Sequence, residues 1–246
     1  MTQHAAAPAN GKVYLIGAGP GAVDLLTVRA ARILGQADVV LYDALVTSDI
    51  LALCPQAEKI SVGKRSGQRS TAQVVINDLL VDCARKHRCV VRLKGGDPML
   101  FGRADEELTA LETHGITVEV VPGITTAFAA AASTLQPLTK RGIARSIAFF
   151  TSATAPGEPD LLTLPNTDTL IQYMGGREAV VTAKKLLEQG RSPELPVVVV
   201  ENCSLPNERI SRMSLRELEQ GLGEKQGPVL VMIGDAMAQR PTARQP

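Results

Sequence analysis

The 246 residues carry 26 lysines and arginines against 25 acidic residues, a formal charge of +1, and 45% of them are hydrophobic. That is enough for one large α/β domain or two small ones with buried cores, and the even charge balance excludes a global field that would draw nucleic acid or a membrane surface. Cys54, Cys83, Cys89 and Cys203 form no C-x-x-C pair and the three histidines are widely separated, so no metal is expected and the free thiols suit a reducing cytoplasm.

Residues 1–12 lack the basic start and long apolar run of a secretory signal, and no apolar stretch reaches the roughly 20 residues of a membrane span. They read as a flexible leader, too short for a further catalytic domain. From Val13 onward, apolar runs bounded by turn residues alternate with amphipathic segments. VYLIG is followed by a predicted helix over LLTVRAARILGQ, then VVLYD and a helix at DILALC. KISVG, a helix over TAQVVINDLLVDCARKH, CVVRLKG, a helix over ADEELTALETHG and TVEVVPG continue the series. This βα alternation predicts a parallel sheet, and near-continuous apolar strands predict burial on both faces.

The organisation changes around Pro122, which sets the expected boundary between domains 13–122 and 123–238. An alanine-rich helix from Thr125 to Ser133 opens the second part. SIAFFTS, TLIQYMG, PVVVVEN and PVLVMIG read as strands there, EAVVTAKKLLEQG reads as a helix stopped by Gly190, TAPGEPDLLTLPNT reads as a Pro-rich loop, and 239–246 form a tail.

Two glycine clusters follow strands. In Gly17-Ala18-Gly19-Pro20-Gly21 the first two glycines of a dinucleotide fingerprint are present, Ala22 stands at the third position, and Asp43 lies about 20 residues downstream. Pro20 opposes that reading, because it removes an amide from the centre of any phosphate nest. A tight strand-to-helix turn is the plain alternative. In RLKGGDPMLFGRADEEL, Gly95 and Gly96 end a strand and are locked by Asp97-Pro98, so a ligand could approach the backbone closely, or Asp97 could simply cap its turn.

Taken in order, GAGPGAVDLLT, VVLYDALV, VGKRSG, RLKGGDPMLFGR, VVPGITT and QYMG resemble the tetrapyrrole methylase family, from Val13 to about Met237, and most strongly its branch acting on uroporphyrinogen III. The resemblance implies two α/β domains of the tetrapyrrole methylase (class III methyltransferase) type, with the active site in the cleft between them, in a cytoplasmic homodimer. It implies an enzyme using S-adenosylmethionine, and no metal, to methylate uroporphyrinogen III at C2 and C7. The products would be S-adenosylhomocysteine and, via precorrin-1, precorrin-2 for sirohaem or cobalamin synthesis. A methylase of a later corrin precursor is the nearest alternative; a nucleotide-dependent oxidoreductase or a ligand-binding module built on GAGPG is a different class.

Carried over by position, the resemblance implies cofactor contacts at Pro20, Gly95, Gly96, Asp97, Leu100, Thr125, Thr126, Met174 and Cys203, largely through backbone groups. It implies that Asp43 accepts and Lys64 donates a proton, although both could instead only orient the substrate. The acceptor carries eight carboxylates, which calls for a local cationic cluster. Arg65, Arg103, Lys140, Arg141 and Arg145 are the candidates, with Arg69 a weaker one. Four features depart from the family pattern: Thr126 stands where alanine is usual, Cys203 where glycine is common, Lys140 where a histidine is common, and FFTSAT replaces a VTGH-like segment. If a glycine is required at 203 for positive φ, the loop there must differ.

Overall fold

The computed structural model of the protein describes residues 11–63, 73–152 and 163–239. Lys64, Arg65 and Arg69, most of the leader and tail, and part of the Pro-rich loop lie outside them. Contacts divide the chain between Thr125 and Thr126 into two compact units, each with its own sheet.

In the first unit, β1 (Lys12–Gly17), β2 (Val39–Tyr42), β3 (Glu58–Ser61), β4 (Cys89–Lys94) and β5 (Val118–Val121) form a sheet in the order β3-β2-β4-β1-β5. Every pairing is parallel, as the alternation predicts. The connecting helices are α1 (Val28–Leu34), α2 (Ser48–Leu51), α3 (Gln73–Lys86) and α4 (Ala104–Thr113). Two helices are shorter than their sequences suggest. Thr27 is extended and its hydroxyl accepts from the Ala30 amide at 3.1 Å, which caps α1 there and leaves Leu25 in a preceding 3₁₀ turn. The DILALC segment makes one turn only.

Side chains alternate across the strands. Val13, Leu15, Val39, Leu41 and Val90 pack with α3 and α4 residues on one face, while Ile16, Val40, Val91 and Leu93 pack with α1 and α2 on the other. Leu15, Leu41, Leu80 and Leu111 are fully buried, each contributing about 1.5–3 kcal/mol relative to exposure.

The second unit opens with α5 (Thr126–Ser133) and continues through β6 (Ile147–Thr151), β7 (Thr169–Tyr173), α6 (Glu178–Glu188), β8 (Pro196–Glu201), β9 (Arg209–Ser214), α7 (Leu215–Glu219) and β10 (Val229–Ile233). Its sheet order is β6-β7-β10-β8-β9. Only β6 and β7 run parallel; the other three pairings are antiparallel. Ala179, Thr182, Ala183 and Leu186 bury one stripe of α6. Gly190, at φ +81, closes the helix as expected: its amide bonds to the Leu187 carbonyl, and that of Arg191 to the Leu186 carbonyl.

The sequence reading missed β9 and α7. RISRMS is a polar edge strand with Arg209 exposed. Ser214 and Glu217 cap each other at the start of α7, a capping box that the S-x-x-E spacing encodes. Among the described residues no helix is long and apolar enough to cross a membrane.

Gly17 has no room for a side chain, since a Cβ there would lie 2.6 Å from Gly123 Cα and from the Gly96 carbonyl oxygen. Gly35 ends α1 in right-handed geometry with only ordinary contact at 3.6 Å. Overpacking at Gly17→Ala should therefore cost about 2–3 kcal/mol, a fall of roughly 5–10 °C in melting temperature. Gly35→Ala should stabilise by about 0.4–1 kcal/mol through loss of unfolded-chain freedom. Calorimetric melting of both variants checks the contrast.

Candidate functional site

Parallel sheets bind ligands beyond the carboxyl ends of their strands, and in the first unit those ends carry the expected motifs. The loops after β1 and β4 are stitched by an isolated antiparallel bridge. The Gly19 amide donates to the Gly96 carbonyl at 3.1 Å, and the Gly96 amide to the Gly19 carbonyl at 2.7 Å. Gly19 and Gly96 have φ of +71° and +69°, which glycine adopts at little cost. A Cβ on Gly96 would meet nothing within 4 Å, so its missing side chain leaves open space beside the backbone. Pro20 follows, half-buried.

Asp97 does cap its own turn. Its Oδ1 accepts from the Met99 amide at 2.9 Å and its Oδ2 from the Gly123 amide at 3.0 Å, tying the loop after β4 to the loop after β5. Each oxygen keeps a further lone pair. Leu100 is half-buried and Thr125 is 9% exposed.

Asp43 directly follows β2. Its side chain is 29% exposed, and Oδ1 accepts from Arg92 Nη2 at 2.6 Å. Arg92 Nε donates to Glu107 Oε1 at 2.9 Å, and Lys94 Nζ to both Glu107 oxygens at 3.0 Å. Burial, reinforced by the nearby Arg92 cation, lowers the Lys94 ammonium below its ordinary value. Sequence reasoning missed all three of these buried charges. The available signal was two cations at alternate positions of an apolar central strand, with Glu107 on the inward stripe of α4 between Ala104 and Leu111. Gly63, the residue before Lys64, packs against the Asp43–Ala44 peptide.

Of the expected cationic residues, Arg103 is exposed and forked onto Glu106 at 2.7 and 2.8 Å. In the second unit, Lys140 and Ala144 bridge across a turn centred on Gly142 at φ +77, which displays Arg141 and Arg145 to solvent. The Arg145 amide is fixed by Asp168 Oδ2 at 2.8 Å. Backbone hydrogen bonds from Arg145, with the Ser146 hydroxyl and amide, hold the Asp168 carboxyl below its ordinary value.

Among the described residues, six that are not glycine have positive φ, and five of them, Phe101, Arg103, Met174, Asn202 and Ser204, lie in or beside the expected contact segments. Such backbone strain, of order 1–3 kcal/mol each, gathers at functional loops. Met174 is 51% exposed after β7, and Thr126 opens α5, where the Ala127 amide donates to the Tyr173 hydroxyl at 3.2 Å. Cys203 itself lacks positive φ, which falls instead on its neighbours Asn202 and Ser204, so no glycine is required at 203 in this loop. Its side chain is buried, leaving the backbone for any ligand. A cavity of about 730 Å³ in this unit is lined by Gly176, Arg177 and the 221–227 loop and contains none of the expected side chains. Among the described residues no group of three or more His, Cys, Asp or Glu could hold a metal.

The family model for tetrapyrrole (corrin/porphyrin) methylases matches residues 12–219. The siroheme synthase of Psychrobacter sp. (strain PRwf-1) is 42% identical over 92% of the chain and 47% of its own length; the chain thus spans about half the length of the curated relatives it matches. The native structure of a uroporphyrin III C-methyl transferase from Thermus thermophilus is 44% identical at a TM-score of 0.81, covering 92% of this chain and 93% of that one. A structure of it complexed with S-adenyl homocysteine aligns equally well. A cobalt precorrin-4 methyltransferase is 30% identical at a TM-score of 0.79, covering 93% of this chain and 96% of that one.

Desolvation, with Glu208 close by, pushes the Cys203 thiol up to about 12, so at pH 8 it stays protonated as well as buried. Thiolate is the reactive form. Iodoacetamide at pH 8 should leave Cys203 unlabelled in the folded protein and label it fully in denaturant, as read by mass spectrometry of the Cys203 peptide.

Proposed function

Because this chain belongs to the tetrapyrrole (corrin/porphyrin) methylase family, we propose that it transfers methyl groups from S-adenosylmethionine to C2 and C7 of uroporphyrinogen III. Precorrin-2 would form through precorrin-1, for sirohaem or cobalamin synthesis, in a homodimer as the resemblance implies. The observation that carries this reading is the 44% identity, over nearly the whole of both chains, to the Thermus thermophilus uroporphyrin III enzyme. The 30% identity to the cobalt precorrin-4 enzyme favours a later corrin precursor less.

The first unit's loops fit the cofactor. Open space beside Gly96 and the missing amide of Pro20 suit a partly apolar zwitterion better than a pyrophosphate. The proposed contacts are Pro20, Gly95, Gly96, Asp97, Leu100, Thr125, Thr126, Met174 and Cys203. When bound, the cofactor supplies a methyl group on a sulfonium, already strongly electrophilic. The protein's share is then alignment of the acceptor carbon and removal of the proton that the porphyrinogen gives up elsewhere on the macrocycle when that carbon takes the methyl group. Asp43 is the proposed acceptor of that proton, and Lys64 is the proposed proton donor to the substrate, its ammonium steadying the charge that develops there. Arg65, Arg103, Lys140, Arg141 and Arg145 are proposed to bind the acceptor's carboxylates. The Arg103–Glu106 pair is exposed, and such pairs are worth only about 0.2–1 kcal/mol, so a substrate carboxylate can displace Glu106 at small cost.

Purified protein with S-adenosylmethionine and uroporphyrinogen III should give a dimethylated product; methylation only of a later precursor would overturn the substrate reading. Calorimetry should show S-adenosylhomocysteine binding and NAD(P) failing to bind. Asp43→Ala should lower kcat by about 100-fold or more with cofactor affinity nearly intact. Gly96→Val, strained at φ +69 and projecting into open space, should leave a folded protein that no longer binds S-adenosylhomocysteine.

A further inference from the structure

Three charged side chains lie under the carboxyl edge of the first sheet, at exposures of 2% for Arg92, 3% for Lys94 and 0% for Glu107. Arg92 sits in the central strand β4, level with Leu15 on β1 and Leu41 on β2, where the sheet's alternation puts apolar residues. Replacing buried ion networks by well-packed apolar side chains is often neutral or stabilising, so stability alone does not account for charges at these positions. The direction of the network supplies a reason. All three guanidinium nitrogens are committed: Nη2 to Asp43 Oδ1 at 2.6 Å, Nε to Glu107 Oε1 at 2.9 Å and Nη1 to the Leu93 carbonyl at 3.2 Å. Glu107 is fixed in turn by Lys94, and by Gln73 Nε2 at 3.3 Å. Asp43 is the member that reaches solvent, and its Oδ2 has no hydrogen-bond partner among the described residues.

We propose that Arg92, clamped by Glu107, is a positioning residue for Asp43, fixing one carboxylate oxygen and presenting the other to the methyl acceptor. This rests on the catalytic reading of Asp43. The planar fork holds Asp43 through Nη2 and Glu107 through Nε, two separately placed nitrogens for which a lysine offers only one.

Arg92→Lys, which keeps the charge and loses the fork, should lower kcat at least about 30-fold by misplacing the carboxylate. KM for the tetrapyrrole and affinity for S-adenosylhomocysteine should each change less than about threefold, since uniform binding is untouched. In an Asp43→Asn background the same substitution should cost less than about threefold more, because the two act as a unit. Additive losses, or wild-type kcat in Arg92→Lys, would overturn the proposal. Should Arg92→Lys fail to fold, Glu107→Gln keeps the shape and should give the same non-additive loss with Asp43→Asn. If the wild type methylates a different tetrapyrrole, the uroporphyrinogen III reading falls, and the same cycle run with that acceptor still decides the role of Arg92. A readout without turnover completes the test. In protein labelled with carboxyl-¹³C aspartate, the Asp43 signal, assigned by its loss in Asp43→Asn, should move in Arg92→Lys; an unmoved signal overturns the pairing.

Discussion

Three loops leaving the first sheet share one edge because Gly17 and Gly123 have no side chains where their backbones meet each other and the Gly96 carbonyl. A Cβ on Gly17 would collide with Gly123 and with the Gly96 carbonyl, as would one on Gly123 with Gly96 and Gly17. Backbone contact of this kind lets the Gly19–Gly96 bridge form, and it lets Asp97 reach from the β4 loop to the Gly123 amide. The β1, β4 and β5 loops are thereby fixed to one another with few long side chains between them. A ligand meeting this edge meets backbone groups whose positions are set by close packing, which favours pre-organised binding.

Beneath that edge the same strand that carries the glycines carries the charges. Strand alternation places Arg92 and Lys94 on the α3–α4 face of β4, and Glu107 enters from α4 to neutralise them. An Asp43–Arg92–Glu107–Lys94 series alternates in sign and sums to zero, which is the condition under which buried ions are tolerable. The rigidity of a sheet core is thus transmitted to one partly exposed carboxylate at the end of the neighbouring strand. A surface aspartate without such support would sample several rotamers.

Much of the fold was legible because its central strands are buried on both faces. β1, β2, β4, β8 and β10 appear as apolar runs between turn residues, and the Gly190 stop is encoded by its neighbours. β9 was not legible, since an edge strand needs only one apolar side and RISRMS alternates too weakly to separate it from a loop. α7 left its S-x-x-E signature within a short segment that periodicity could not resolve. α1 begins late because Thr27 competes as a cap, a local choice that an apolar pattern running through Leu25 and Leu26 hides. In the site, ordered motifs pointed to the family, whereas the buried charges were masked by the run they interrupt. CVVRLKG reads as an apolar strand until the parity of its two cations is compared with the inward position of Glu107.

The loop around Cys203 places its left-handed backbone on the residues either side of the cysteine. A glycine there would be demanded only if that residue had to adopt positive φ. Here Asn202 and Ser204 do so instead, at +52° and +64°. Asparagine tolerates that region better than most residues, and the Ser204 amide is held by Glu208 Oε2 at 2.6 Å. Residue 203 then keeps ordinary geometry and can carry a side chain inward, where it is 4% exposed. Left-handed residues at Phe101 and Arg103 follow the same logic in the other unit, being held by the turn that Asp97 caps and by the fork onto Glu106. Strain at Arg103 and Ser204 is therefore borne beside a specific local hydrogen bond, while Gly17 and Gly123 stand where two backbones touch.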